Sequence, residues 1–147
     1  MTVETKHTIS TMLITQWEQS CAKLITLAEH VPEDKYAYRP VDHVRSFADV
    51  LRHTAFWNQC VAERARGREP DESANELPQA QYSTKKRILE VLRQANKESV
   101  AALKKVGTLS DETVEMLVTF IGHSSEHYGQ LVVYTRLNGI VPPSSAT

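Results

Sequence analysis

Two histidines, His123 and His127, stand four residues apart in the stretch FIGHSSEHYGQ. On a helix that spacing puts both imidazoles on one face, about one turn apart, where they can grip a single ion. They also fall in the apolar register: Met116, Phe120, His123, His127, Leu131 and Tyr134 step by four, three, four, four and three. Two histidines therefore point where leucine is expected. A second stretch repeats the anomaly, because Val50, His53, Trp57 and Cys60 step by three, four and three. A single inward histidine is usually a satisfied core residue. Three of them, buried without an ion, leave up to six ring nitrogens in need of partners, each unsatisfied one costing ~1–3 kcal/mol. Three neutral imidazoles with one open position suit Zn²⁺, Ni²⁺ or Fe²⁺. His53, His123 and His127 are the expected metal ligands.

Other reactive residues are weighed against this set. Glu126 completes the pattern H-x-x-E-H in HSSEH, in which a glutamate acts as general base beside two zinc-bound histidines. Such enzymes take a third ligand from a carboxylate downstream, and no Asp or Glu follows Glu126. Glu126 also lies ~100° around the helix from His127. Its candidate role is catalytic, as a proton acceptor or as an orienter of a ligand, against a plain surface carboxylate. Cys60 sits two turns beyond His53, ~10 Å along the helix, which favours a core thiol over a fourth ligand. Trp57, Phe120, Met116 and Tyr128 are candidates for a pocket wall. Arg52 and Arg136 are the basic residues nearest such a pocket. His7, His30 and His43 lie near a terminus, at a helix end and in a loop, and are read as surface residues.

Four long segments without proline must position these groups. Pro and Gly gather at 31–45, 67–82 and 138–147. The first helix is expected from about Thr5 to Glu29, with Met12, Leu13, Trp17, Cys21, Leu24, Ile25 and Ala28 inward. The second follows Ser46, with Asp49 at the capping-box position, and runs to about Arg66. The third is capped by Ser83 or Thr84 and ends near Val106, before Gly107. The fourth follows Ser110 and reaches Leu137, with Asn138-Gly139 and then Pro142-Pro143 beyond it. Gly122 and Gly129 share one face of this helix, each costing ~1 kcal/mol against Ala, and read as a close helix crossing or a subunit contact. With no strand-like alternation, the economical fold is an all-α four-helix bundle, one domain over residues 1–147.

Composition sets the outer bounds. Seventeen basic and eighteen acidic residues, net charge −1, leave no broad footprint for nucleic acid or an anionic membrane. No run approaches the ~18–20 apolar residues of a membrane span, and no secretory pattern opens the chain. Two cysteines are too few for a disulfide framework and suit a reducing compartment. A cytoplasmic protein with no membrane or nucleic-acid partner is expected.

SFADVLRHTAFWN and HSSEHYGQLVVYTRLNGIVPP, with the loop VPEDKYAYRP before them, resemble the DinB/YfiT-like family over essentially the whole chain. The combination of one upstream His, H-x-x-x-H-x-G-Q and a trailing R-x-x-G-x-x-P carries the likeness. It implies an up-down-down-up four-helix bundle, usually a homodimer, with one Ni²⁺ or Zn²⁺ on the matching residues His53, His123 and His127. Several members of that family are thiol-dependent enzymes, which transfer glutathione, bacillithiol or mycothiol or use the thiol as a cofactor. The resemblance thus implies a metal-dependent thiol S-transferase acting on a small molecule. Metal-dependent hydrolysis and non-catalytic metal binding in a stress-associated protein are the alternatives.

Overall fold

The computed structural model describes residues 1–145 and holds, among them, four long helices and no strand. They are α1 (Val3–His30), α2 (Phe47–Ala65), α3 (Lys85–Val106) and α4 (Asp111–Leu137), with single 3₁₀ turns at Glu33–Lys35 and Pro143–Ser145. Each long helix starts on a hydroxyl. Thr2, Ser46, Thr84 and Ser110 accept from the backbone N–H three residues on. At Ser46 the box closes fully: Asp49 N–H donates to Ser46 Oγ at 3.1 Å, and Ser46 N–H donates to Asp49 Oδ2 at 3.0 Å. Aspartate therefore serves where Glu or Gln is usual. Burial raises the Asp49 pKa, but these bonds and the Arg52 guanidinium outweigh it and hold the carboxyl below its ordinary value.

Contacts along the helices give their directions. Lys85 Nζ reaches the carbonyls of Glu29 and Val31, and Lys104 pairs with Glu18, so α1 and α3 run antiparallel. Lys6 meets Asp111 and Lys23 lies over the Tyr128 ring, so α1 and α4 run parallel. Arg52 donates to the Tyr82 carbonyl and Arg66 meets Glu98, so α2 and α3 run parallel. Tyr134 donates to the Arg45 carbonyl and His53 meets His123, so α2 and α4 run antiparallel. The order is up-down-down-up. α2 packs on α3 and α4, and α1 on the same two, which leaves α1 and α2 across a diagonal. Because α2 and α3 are parallel, the segment between them must travel back along the bundle.

Two apolar clusters fill the interior. One gathers Leu24, Leu27, Phe47, Leu51, Ile88 and Leu131; the other gathers Ile14, Trp17, Val61, Leu103 and Leu117. Buried polar groups join elements within the second cluster: Trp17 Nε1 donates to Ser99 Oγ at 2.9 Å, and Leu109 N–H to Ser10 Oγ at 2.9 Å. The α1 stripe differs from expectation at Met12, which is 63% exposed. Met12 is five residues from the fully buried Trp17, about 140° away at 3.6 residues per turn. The inward register is Ser10, Ile14, Trp17, Cys21, Leu24, Leu27 and Ala28.

The close crossing expected on Gly122 and Gly129 is not made within the chain. Both are exposed, and a Cβ built on either meets no atom within 4 Å. Alanine at either site then gains helix propensity without a clash, raising stability by about 1 kcal/mol each. Urea denaturation of Gly122→Ala and Gly129→Ala tests this. Unchanged or lower stability would mean that a second chain covers the face.

Candidate metal centre

α2 and α4 meet antiparallel with three imidazoles facing one another. His53 comes from the second turn of α2, and His123 and His127 from the middle of α4. α4 changes there from one apolar cluster to the other, while His53 sits among α2 residues of the first cluster, Leu51 and Ala55. His53 is buried, and the two α4 histidines are half-buried. His53 Nε2 lies 2.9 Å from His123 Nε2, and His127 Nε2 lies 3.1 Å from the same atom. One ligand atom from each residue falls within 4.8 Å of the other two, so the group is compatible with a bound metal ion.

Proton positions follow from the far side of each ring. His53 Nδ1 lies 2.7 Å from the Asn75 carbonyl oxygen, which can only accept. Nδ1 therefore carries the proton, and the His53 Nε2 lone pair is bare. His127 Nδ1 lies 2.9 Å from Gln130 Oε1. A chain of bonds sets that amide: Tyr134 OH donates to the Arg45 carbonyl at 2.9 Å and so accepts from Gln130 Nε2 at 2.9 Å. Gln130 Oε1 is left to face His127, whose Nε2 lone pair is also bare. Both lone pairs are aimed at His123 Nε2, where at most one proton is available.

A divalent cation would resolve this arrangement. Nitrogens bound at about 2.0–2.1 Å in a tetrahedral shell lie ~3.3 Å apart, within a few tenths of an ångström of the two spacings to His123. The protonation state also suits an ion. Burial, then the neighbouring charges of His127, His53 and Arg45, push His123 down to about 4. Burial also lowers His53, reinforced by Arg45 and His127 against the opposing pull of Asn75 and Glu76. Both are neutral at neutral pH, as metal ligation requires.

The surroundings differ on two sides. Trp57 packs against Phe120 at 5.5 Å between ring centroids, and Phe120 lies edge-on to His123 at 6.0 Å. The Trp57 indole N–H donates to Asn75 Oδ1 at 2.9 Å, so one residue of the α2–α3 segment holds both His53 and this wall. Asn75 does so with φ 57°, a left-handed conformation that asparagine tolerates better than most residues. On the other side a cleft of about 610 Å³ is lined by Arg39, His43, Val44, Arg45, Asp49, Glu76, His127 and Gln130, so His43, read from the sequence as a surface residue, stands at its edge.

The remaining candidates lie elsewhere. Glu126 is exposed and has no hydrogen bond to the three imidazoles. Cys60 is buried outside the group, with its thiol pushed up to about 11, chiefly by burial. Tyr128 donates to Ser144, and Met116 packs against the far cluster, so neither lines the cleft. Arg52 is buried on Asp49 and the Tyr82 carbonyl, and Arg136 donates to Ser145. Sequence reasoning missed Asn75, Gln130 and Arg45. Only Gln130 carried a signal, three residues after His127 on the same helical face.

No curated protein matches the chain. A family model, that of the DinB superfamily, matches residues 16–131 and so takes in all three histidines. With a matching bundle and three imidazoles gathered between α2 and α4, the chain belongs to the DinB superfamily.

Proposed function

We propose that this chain is a metal-dependent enzyme of the thiol S-transferase type, with one Ni²⁺ or Zn²⁺ held by His53, His123 and His127. The observation that carries the reading is the convergence of bare imidazole lone pairs beside an open cleft. Such an ion supplies Lewis acidity, which favours thiolate over thiol at neutral pH. The protein's own groups do the positioning. Asn75 fixes the His53 ring, and Gln130, through Tyr134, fixes that of His127. Trp57 and Phe120 exclude water from one flank, and the cleft admits a small molecule on the other. In the transfer, sulfur forms a bond to the electrophile, the leaving group departs with its electron pair, and the thiol proton passes to solvent.

Hydrolysis finds less support. The carboxylates that line the cleft, Asp49 and Glu76, are engaged by arginines, and Glu126 is exposed. The cytoplasm, where low-molecular-weight thiols are abundant, and a homodimer accompany the proposal.

Metal analysis of the purified protein tests the site. One ion per chain is expected, lost in His53→Ala and His127→Ala with helix content retained. Folded, metal-free wild type after metal-replete expression would sink the proposal. Turnover of a model electrophile should then depend on added thiol, and metal-loaded protein with no such turnover would remove the transferase reading.

Gln130→Ala removes the acceptor for the His127 Nδ1 proton and should weaken metal binding on the order of 10–100-fold. Gln130→Glu, which keeps an acceptor oxygen, should lose less. Competition against a chelator measures both, and equal affinity in all three proteins would remove Gln130 from the site.

A further inference from the structure

We infer that the cleft beside His127 is a carboxylate-binding subsite, with Arg45 as its anchor. This inference rests on the proposed function and names the substrate class that the site takes: a small thiol carrying at least one carboxylate. Arg45 precedes the Ser46 cap of α2 and lines the cleft together with His127 and Gln130. Its Nε donates to Glu76 Oε1 at 2.8 Å, the one hydrogen bond its side chain makes among the described residues. That bond orients the guanidinium and leaves both terminal nitrogens without a protein partner. They form the edge that grips a carboxylate with two parallel hydrogen bonds. The side chain is 38% exposed, so the edge is within reach of a ligand.

Charge favours an anion there. Asp49 is shared by two guanidiniums, Arg39 on Oδ2 at 3.4 Å and buried Arg52 on Oδ1 at 2.5 Å. Arg45 is opposed by Glu76 alone. Arg39 and Arg45 line the cleft with Asp49 and Glu76, and buried Arg52 behind Asp49 makes three guanidiniums against two carboxylates; an ion on the imidazoles would add further positive charge. Arg45 and His127 line the same cleft, and His127 Nε2 lies 3.1 Å from His123 Nε2. A molecule bound to Arg45 thus lies beside the imidazole cluster. The aromatic flank of Trp57 and Phe120 offers no such partner, which leaves that side to the apolar part of an electrophile.

The test uses metal-loaded protein and three probes: mercaptosuccinate, 2-mercaptoethanol and succinate. Titration followed by calorimetry should show mercaptosuccinate binding about tenfold or more tighter than 2-mercaptoethanol, as expected for one charged bidentate contact. Arg45→Gln should abolish that preference and weaken succinate equally, with metal content retained, and Arg45→Lys should restore part of it. The same preference in wild type and Arg45→Gln would overturn the subsite. Succinate separates the two ideas. Arg45-dependent succinate binding without any thiol contribution would keep the subsite and overturn the thiol chemistry. Thiol binding that ignores both the carboxylates and Arg45 would do the reverse.

Discussion

Two oxygen acceptors, the Asn75 carbonyl and Gln130 Oε1, hold the outer protons of two imidazoles, and the centre depends on that constraint. With Nδ1 protonated on both rings, the inner nitrogens of His53 and His127 present lone pairs toward His123. Lone pairs brought to about 3 Å without a proton or a cation between them repel, and each unsatisfied nitrogen costs ~1–3 kcal/mol. The bundle supports that arrangement because both apolar clusters draw residues from α2 and from α4 and so pack the two helices together. An ion on the three nitrogens would turn a local cost into a binding free energy, which would link the packing to the chemistry.

Topology explains why the acceptors are available. Parallel α2 and α3 require a long return segment, and that segment lays Asn75 against α2. An up-down-up-down bundle would join α2 to α3 by a short turn and would have no backbone carbonyl at this height. Asn75 supports the left-handed turn, the His53 ring and the Trp57 indole together. On α4 the relay from His127 through Gln130 and Tyr134 ends on the Arg45 carbonyl, just before the α2 cap. The same few residues thus tie the imidazoles, the cleft and the start of α2 into one unit.

Much of this was legible in the sequence, where the signal was periodic. Four helices, the hydroxyl caps of α2, α3 and α4 and the inward register of His53, His123 and His127 all follow from residue types at three- and four-residue steps, whereas the Thr2 cap of α1 was not read. Met12 misled because Leu13 and Trp17 beside it made a broad apolar stripe, and only packing selects the register centred on Ile14 and Trp17. Asn75 and Arg45 were invisible for a different reason. They lie in irregular segments, where no period relates a residue to the helix it will touch. Gly122 and Gly129 show the converse: their spacing is periodic, yet the chain places nothing against them.

X-ray absorption at the metal edge of reconstituted protein tests the central claim most directly. The account predicts one ion per chain whose shell holds three imidazoles, with nitrogen at about 2.0–2.1 Å for zinc. It also predicts no protein sulfur, because Cys21 and Cys60 are buried away from the cluster. A shell with a single imidazole, or with sulfur at about 2.3 Å in the absence of added thiol, would contradict it.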